Sequence, residues 1–152
     1  MSVDSTAQIH PSAVIEPGAR IGAGCEIGPF CWIGAHVELA QNVVCTSHVV
    51  IRGQTKVGSD TRIFSFAVIG EIPQDLKFKG EVSQLEIGQR NTIPEPVTIH
   101  LGTHGGAGLT SIGGGFLLLA GCTIAHDARL GNRLSIVNSS AIAGHGVIED
   151  GV

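Results

Sequence analysis

The chain has 152 residues, the length of one ordinary domain, and 43% of them are apolar, enough to bury a core and to argue against a disordered segment. A formal charge of -4, with Lys and Arg dispersed along the chain, argues against nucleic-acid or membrane-surface partners and leaves small molecules. The opening "MSVDSTAQIHPS" has no basic start leading into an apolar run, and no stretch approaches the roughly 18 apolar residues of a membrane span. Neither secretion nor membrane insertion is expected, and the cytoplasm is the expected compartment.

Glycine is abundant at 22 residues, aromatics are 4% and tyrosine is absent, so the core must come from small and branched aliphatic residues in a turn-rich backbone. That profile points to a repetitive β architecture. From Ile9 an aliphatic recurs at every sixth position, through Ile15, Ile21, Ile27, Ile33, Leu39, Ile51, Val57, Ile63 and Ile69, with Cys45 as the one exception. A helix repeats about every 3.6 residues and a one-sided strand every 2, so neither accounts for a period of six. The fifth place of each hexad is also restricted, to small or β-branched residues such as Ala19, Cys25, Cys31, Val37 and Val43. Both features follow from a short strand that ends in a corner, with the large aliphatic inside a triangular prism and the small residue beside the corner. Three hexads then close one coil, and coils stack at about 4.8 Å, the spacing of paired strands. The expected fold is all-β: a parallel β-helix of about seven coils, one domain spanning residues 1–152.

The phase first breaks at "EIPQDLKFKGEVSQLE", residues 71–86, where Asp75 and Glu81 fall at positions due for core aliphatics. Uncompensated carboxylates cannot fill a core, so a projecting loop is expected. Phase returns at Ile87, Ile93 and Ile99, and the second break inserts "GGAGLTS", residues 105–111, with Gly available for unusual backbone angles. From Ile112 the repeat runs to Ile148. Because three hexads make a coil, both loops should leave the same corner, one coil apart. The same counting places His100, His126 and His145 on one face of successive coils beside that corner, as a cluster on an outward surface. His10, His36 and His48 read as ordinary surface residues, and His104 stands at the mouth of the second loop. Cys25, Cys31 and Cys122 take the fifth place and Cys45 a core place, which reads as buried small hydrophobes, with no disulfide and no metal expected.

The stretch "IGAGCEIGPFCWIGAHVE" resembles the hexapeptide-repeat proteins, which implies a left-handed coil and a homotrimer. "GEIPQDLKFKGE", "VTIHLGTHGGAGLTSIG", "CTIAHDARLGNR" and "AIAGHGVIED", in that order and spacing, resemble the UDP-N-acetylglucosamine O-acyltransferases that begin lipid A synthesis. The resemblance implies transfer of a 3-hydroxyacyl chain from acyl carrier protein to the glucosamine 3-hydroxyl of UDP-N-acetylglucosamine, with no cofactor. It further implies His126 as general base, Asp127 as the carboxylate that orients it, and the Gly144 N–H as oxyanion donor. Gln74, Asp75 and Lys77 correspond to residues that hold the sugar nucleotide, and His100 and His145 to substrate-binding positions.

Two positions depart from the family pattern: Thr123 stands where a second substrate-binding His is common, and Leu101 where an Arg is common. The family also continues into further coils and a helical domain, so this chain reads as a shortened member. Three alternatives stay open on the sequence: a non-catalytic β-helical scaffold, a related sugar-nucleotide N-acyltransferase, and a metal-dependent enzyme gathering three His. For the last, the expected pair of His five residues apart is missing, since His100 and His104 are four apart.

Overall fold

The computed structural model describes residues 2–152, in which 22 short strands form three all-parallel sheets of eight, seven and seven strands. Among these residues there is no helix long and apolar enough to cross a membrane. Successive strands visit the three sheets in turn, beginning with Ser2–Val3, Gln8–Ile9 and Val14–Ile15, so the sheets are the walls of a prism and the chain is a left-handed parallel β-helix.

The register shows why the isoleucines fall in one phase. On the third wall Ile15 pairs with Ile33, and the ladder continues through Ile51, Ile69, Ile99, Ile124 and Ile142. Each coil contributes one inward rung. Those from Ile33 to Ile124 are wholly buried, and each such side chain stabilises the fold by about 1.5–3 kcal/mol relative to an exposed one. The phase starts one hexad earlier than Ile9, because Ser2–Val3 pairs with Arg20–Ile21. The fifth-place residues Ala19, Cys25, Cys31, Val37 and Val43 are at most 1% exposed. All four cysteines are unbridged and buried, and desolvation holds the Cys45 thiol far above the usual thiol range, which makes it inert as a nucleophile.

Between strand and fifth place the chain turns a corner, and in most hexads the fourth place adopts a left-handed conformation. Gly18 and Gly24 hold it, and so do Phe30, Asn42, His48, Asp60 and Phe66, with φ between 52° and 67°. This corner geometry matters for the site below.

On the third wall the register offset is 18 residues except where Ile69 pairs with Ile99 and Ile99 with Ile124, and those two wider steps hold the loops. The first loop lies between Val68–Glu71 and Gln84–Ile87, the second between Thr98–His100 and Leu109–Ile112. Both connect the third wall to the first, hence the same corner on adjacent coils. The bounds differ from the expected 71–86 and 105–111. Gln84–Ile87 and Leu109–Ile112 are four-residue strands paired to each other throughout, because Leu85 and Thr110 occupy the small fifth place and are fully buried.

Candidate active site at the loop corner

Strands Thr123–Ile124 and Ala141–Ile142 lie on the third wall one coil apart and end at the loop corner. The turns that follow carry His126–Asp127 and Gly144–His145 at the same two hexad places, the third and the fourth. His126 is therefore stacked on Gly144, and Asp127 on His145. Asp127 and His145 have the left-handed fourth-place conformation, φ 59° and 61°. A Cβ at Gly144 would lie 2.5 Å from both Cε1 and Nε2 of His126, so the ring can lie over this turn only because the residue beneath is glycine. Among the described residues the Gly144 N–H has no hydrogen-bond acceptor. The His126 and His145 rings meet edge to face, 5.1 Å between centroids.

Although neighbours in sequence need not touch, the turn at Asp127 brings its Oδ2 to 2.9 Å from His126 Nδ1. Asp127 is buried, and loop and corner groups surround it: Thr103 donates its N–H to Oδ1 at 2.9 Å and its hydroxyl to Oδ2 at 2.5 Å, while Thr110 Oγ accepts the Asp127 N–H at 2.9 Å. Burial alone would raise the Asp127 pKa, but the two Thr103 bonds, the His126 bond and the nearby His145 outweigh it and hold the carboxyl below its usual range. An ionised carboxylate only accepts, so the proton of neutral His126 sits on Nδ1 and Nε2 is left bare. His126, Asp127 and His145 have ligand atoms within 4.8 Å of one another, as a cation site would. Asp127 Oδ2 already accepts from both Thr103 and His126, however, and a metal would have to displace those bonds.

The loops form the rest of the corner. Glu81 of the first loop accepts the His104 N–H of the second at 3.1 Å, and Asp75 folds the first loop by accepting the Lys77 N–H at 2.9 Å. A cleft of about 700 Å³ opens between them, lined by Asp75, Lys77, Lys79, His104 and His145 among others. Gln74 is exposed and outside this lining.

His100 does not join His126 and His145 on an outward surface. It is 3% exposed, its Nδ1–H reaches the Ile72 carbonyl at 3.0 Å, and its Nε2 is buried without a partner. The cause is local: the strand runs on through His100, which pairs with Glu71 beyond an irregularity in the ladder, so the side chain passes beneath the first loop. Leu101 is also buried and packs toward Gly53, where an added Cβ would meet Leu101 Cδ1 at 2.7 Å. Sequence reasoning missed Thr103, Thr110, Lys79 and Glu81. Only Thr110 carried a signal, a hydroxyl at a fifth place where Ala, Cys or Val would also fill the space.

The family described as "Bacterial transferase hexapeptide (six repeats)" matches residues 3–35 and 12–47. A curated acyl-[acyl-carrier-protein]–UDP-N-acetylglucosamine O-acyltransferase from Paracoccus denitrificans is 55% identical over 90 residues, which is 59% of this chain and 34% of that protein. Among solved structures, the UDP-N-acetylglucosamine acyltransferase of Campylobacter jejuni superposes with a TM-score of 0.86 at 40% identity, over 90% of this chain and 53% of the other. The UDP-N-acetylglucosamine O-acyltransferase of Moraxella catarrhalis gives 0.82 at 36% identity, over 93% and 62%. The chain thus spans about a third of the curated relative and a little over half of these solved ones. It carries the hexapeptide repeat of bacterial transferases over residues 3–47 and is similar, in sequence and fold, to UDP-N-acetylglucosamine O-acyltransferases.

Proposed function

We propose that this chain carries the site that moves a 3-hydroxyacyl group from acyl carrier protein to the glucosamine 3-hydroxyl of UDP-N-acetylglucosamine, the first step of lipid A synthesis, in the cytoplasm. The observation that carries the reading is the oriented imidazole: Nδ1 on a buried carboxylate at 2.9 Å, with the ring laid over Gly144. A sugar hydroxyl is far too weak an acid to ionise by itself, and a neutral imidazole beside it suits the task.

In this mechanism His126 Nε2 takes the 3-hydroxyl proton as the oxygen attacks the thioester carbonyl carbon. Asp127 stabilises the imidazolium that results. The Gly144 N–H, unpaired among the described residues, donates to the oxyanion, a contribution of about 3 kcal/mol in comparable acyl transfers. Collapse of the tetrahedral intermediate breaks the carbon–sulfur bond, and the imidazolium returns its proton to the departing thiolate of the carrier. No enzyme nucleophile is needed, consistent with four buried cysteines. Lys77, with Lys79 beside it in the cleft, faces the diphosphate, while Gln74, Asp75 and His145 hold the sugar nucleotide. His100, buried beneath the first loop, holds that loop through Nδ1 and so serves the sugar nucleotide through the loop's residues. A homotrimer would place a neighbouring subunit beside this open corner.

The test is incubation of the chain with 3-hydroxyacyl-carrier protein and UDP-N-acetylglucosamine, with the product read by mass and by lability to hydroxylamine. A labile O-acyl ester is expected. A stable amide would move the acceptor to an amino sugar, and no product at all would contradict the reading for this chain.

A further inference from the structure

Thr103 lies at the start of the second loop, is 3% exposed, and directs both its donors to one side chain. Its N–H meets Asp127 Oδ1 at 2.9 Å and its hydroxyl meets Oδ2 at 2.5 Å. The second loop also covers the carboxylate: a Cβ at Gly106 would lie 2.4 Å from the carboxyl carbon, so the backbone there closes over Asp127 with no room for a side chain. Oδ2 is at the same time the acceptor for His126 Nδ1 at 2.9 Å, and His145 Nε2 is 3.9 Å from it.

The terminal torsion of an aspartate is broad and roughly two-fold, so an unrestrained carboxylate can rock or exchange its oxygens. Rocking would let Oδ2 drift from His126 toward His145. Two donors from one residue, one on each oxygen, remove that freedom and fix the carboxylate plane. Charge-assisted bonds of this kind are shorter and stronger than neutral ones. We propose that Thr103 is a positioning residue for the proposed base: by locking the plane of Asp127 it holds His126 in the Nδ1–H tautomer, with Nε2 free to take a proton. The inference rests on the acyl-transfer reading for its purpose, but the tautomer itself can be read without turnover.

The experiment uses the 152-residue chain labelled with ¹⁵N-histidine, unaltered and as Thr103→Val and Thr103→Ser, with the His126 signals assigned by their loss in His126→Gln. Long-range proton–nitrogen correlation, recorded above the imidazole titration range, reports which ring nitrogen carries the proton. The unaltered chain and Thr103→Ser, which keeps the hydroxyl, should show Nδ1–H and bare Nε2. Thr103→Val, of the same shape without the hydroxyl, should show an added Nε2–H population. In the transfer assay its kcat should fall about 10- to 100-fold, the range set by one hydrogen bond to a charged group, with little change in KM, and Ser should restore it. An unchanged tautomer in Thr103→Val, the Nε2–H form in the unaltered chain, or an equal defect in Ser and Val would each overturn the proposal. Should Val not fold, the Ser variant and the unaltered chain still decide it. Turnover absent from all three would count against the acyl-transfer reading alone, leaving the tautomers to decide the role of Thr103.

Discussion

Adding one methyl group at Gly144 separates the site from the scaffold. In Gly144→Ala the new Cβ would start 2.5 Å from His126 Cε1 and Nε2, whereas ordinary contact begins near 3.4 Å, so the ring must retreat by about 0.9 Å. The bond from Nδ1 to Asp127 Oδ2 is 2.9 Å, and a shift of that size takes it out of hydrogen-bond range unless the ring swings about it. Misplacing a reacting group by about 1 Å can cost roughly 100-fold in rate, or about 2.7 kcal/mol in the barrier. The fold should suffer little. Gly144 is not among the glycines with positive φ, so alanine adopts its backbone, and the gain of about 0.4–1 kcal/mol through the unfolded chain offsets part of the cost of displacing the His126 ring. Initial rates of acyl transfer and thermal unfolding of the same preparation measure both. A full rate with the imidazole undisturbed would refute the stacking of His126 on this turn, and equal loss of rate and stability would refute the separation of site from scaffold.

Two further predictions concern the carboxylate and the core. Because the native Asp127 carboxyl is held below the ordinary value of 3.8, it contributes stability that is present above that pH and lost as pH falls through the native pKa. Asp127→Asn should therefore flatten part of the acid limb of stability against pH and lower the transfer rate at neutral pH; an acid limb identical to that of the unaltered chain contradicts the assignment. Ile99→Ala, at a wholly buried rung between the two loops, should destabilise by about 2–5 kcal/mol in denaturant titration, and a change near that of a surface substitution would contradict the register.

The coil was legible because one rule is applied on every turn: a large aliphatic inside, a small residue at the corner. Even the shared corner of the two loops follows from counting hexads. The loop ends were misjudged where Leu85, a large residue, fills a place expected to be small, so pairing resumes sooner than the pattern suggests. Reading His100 as outward failed for a related reason: the strand Thr98–His100 runs one residue longer than the common two-residue strand, and the first loop lies over it. The contact between His126 and Asp127 depends on a left-handed residue at the fourth place. Glycines at that place in other hexads, such as Gly18, Gly24 and Gly121, hinted at the conformation without revealing that Asp127 uses it to reach back to its neighbour. The clamp by Thr103 was hidden because it joins residues 24 positions apart across a loop that carries no repeat.

The most direct measurement is the initial rate of 3-hydroxyacyl transfer from acyl carrier protein to UDP-N-acetylglucosamine by the unaltered chain and by His126→Ala. A positioned base contributes about 10²- to 10⁴-fold, so a loss of that size with thermal stability intact is the expected result. A variant as fast as the unaltered chain would contradict the assignment of the base to this corner of the coil.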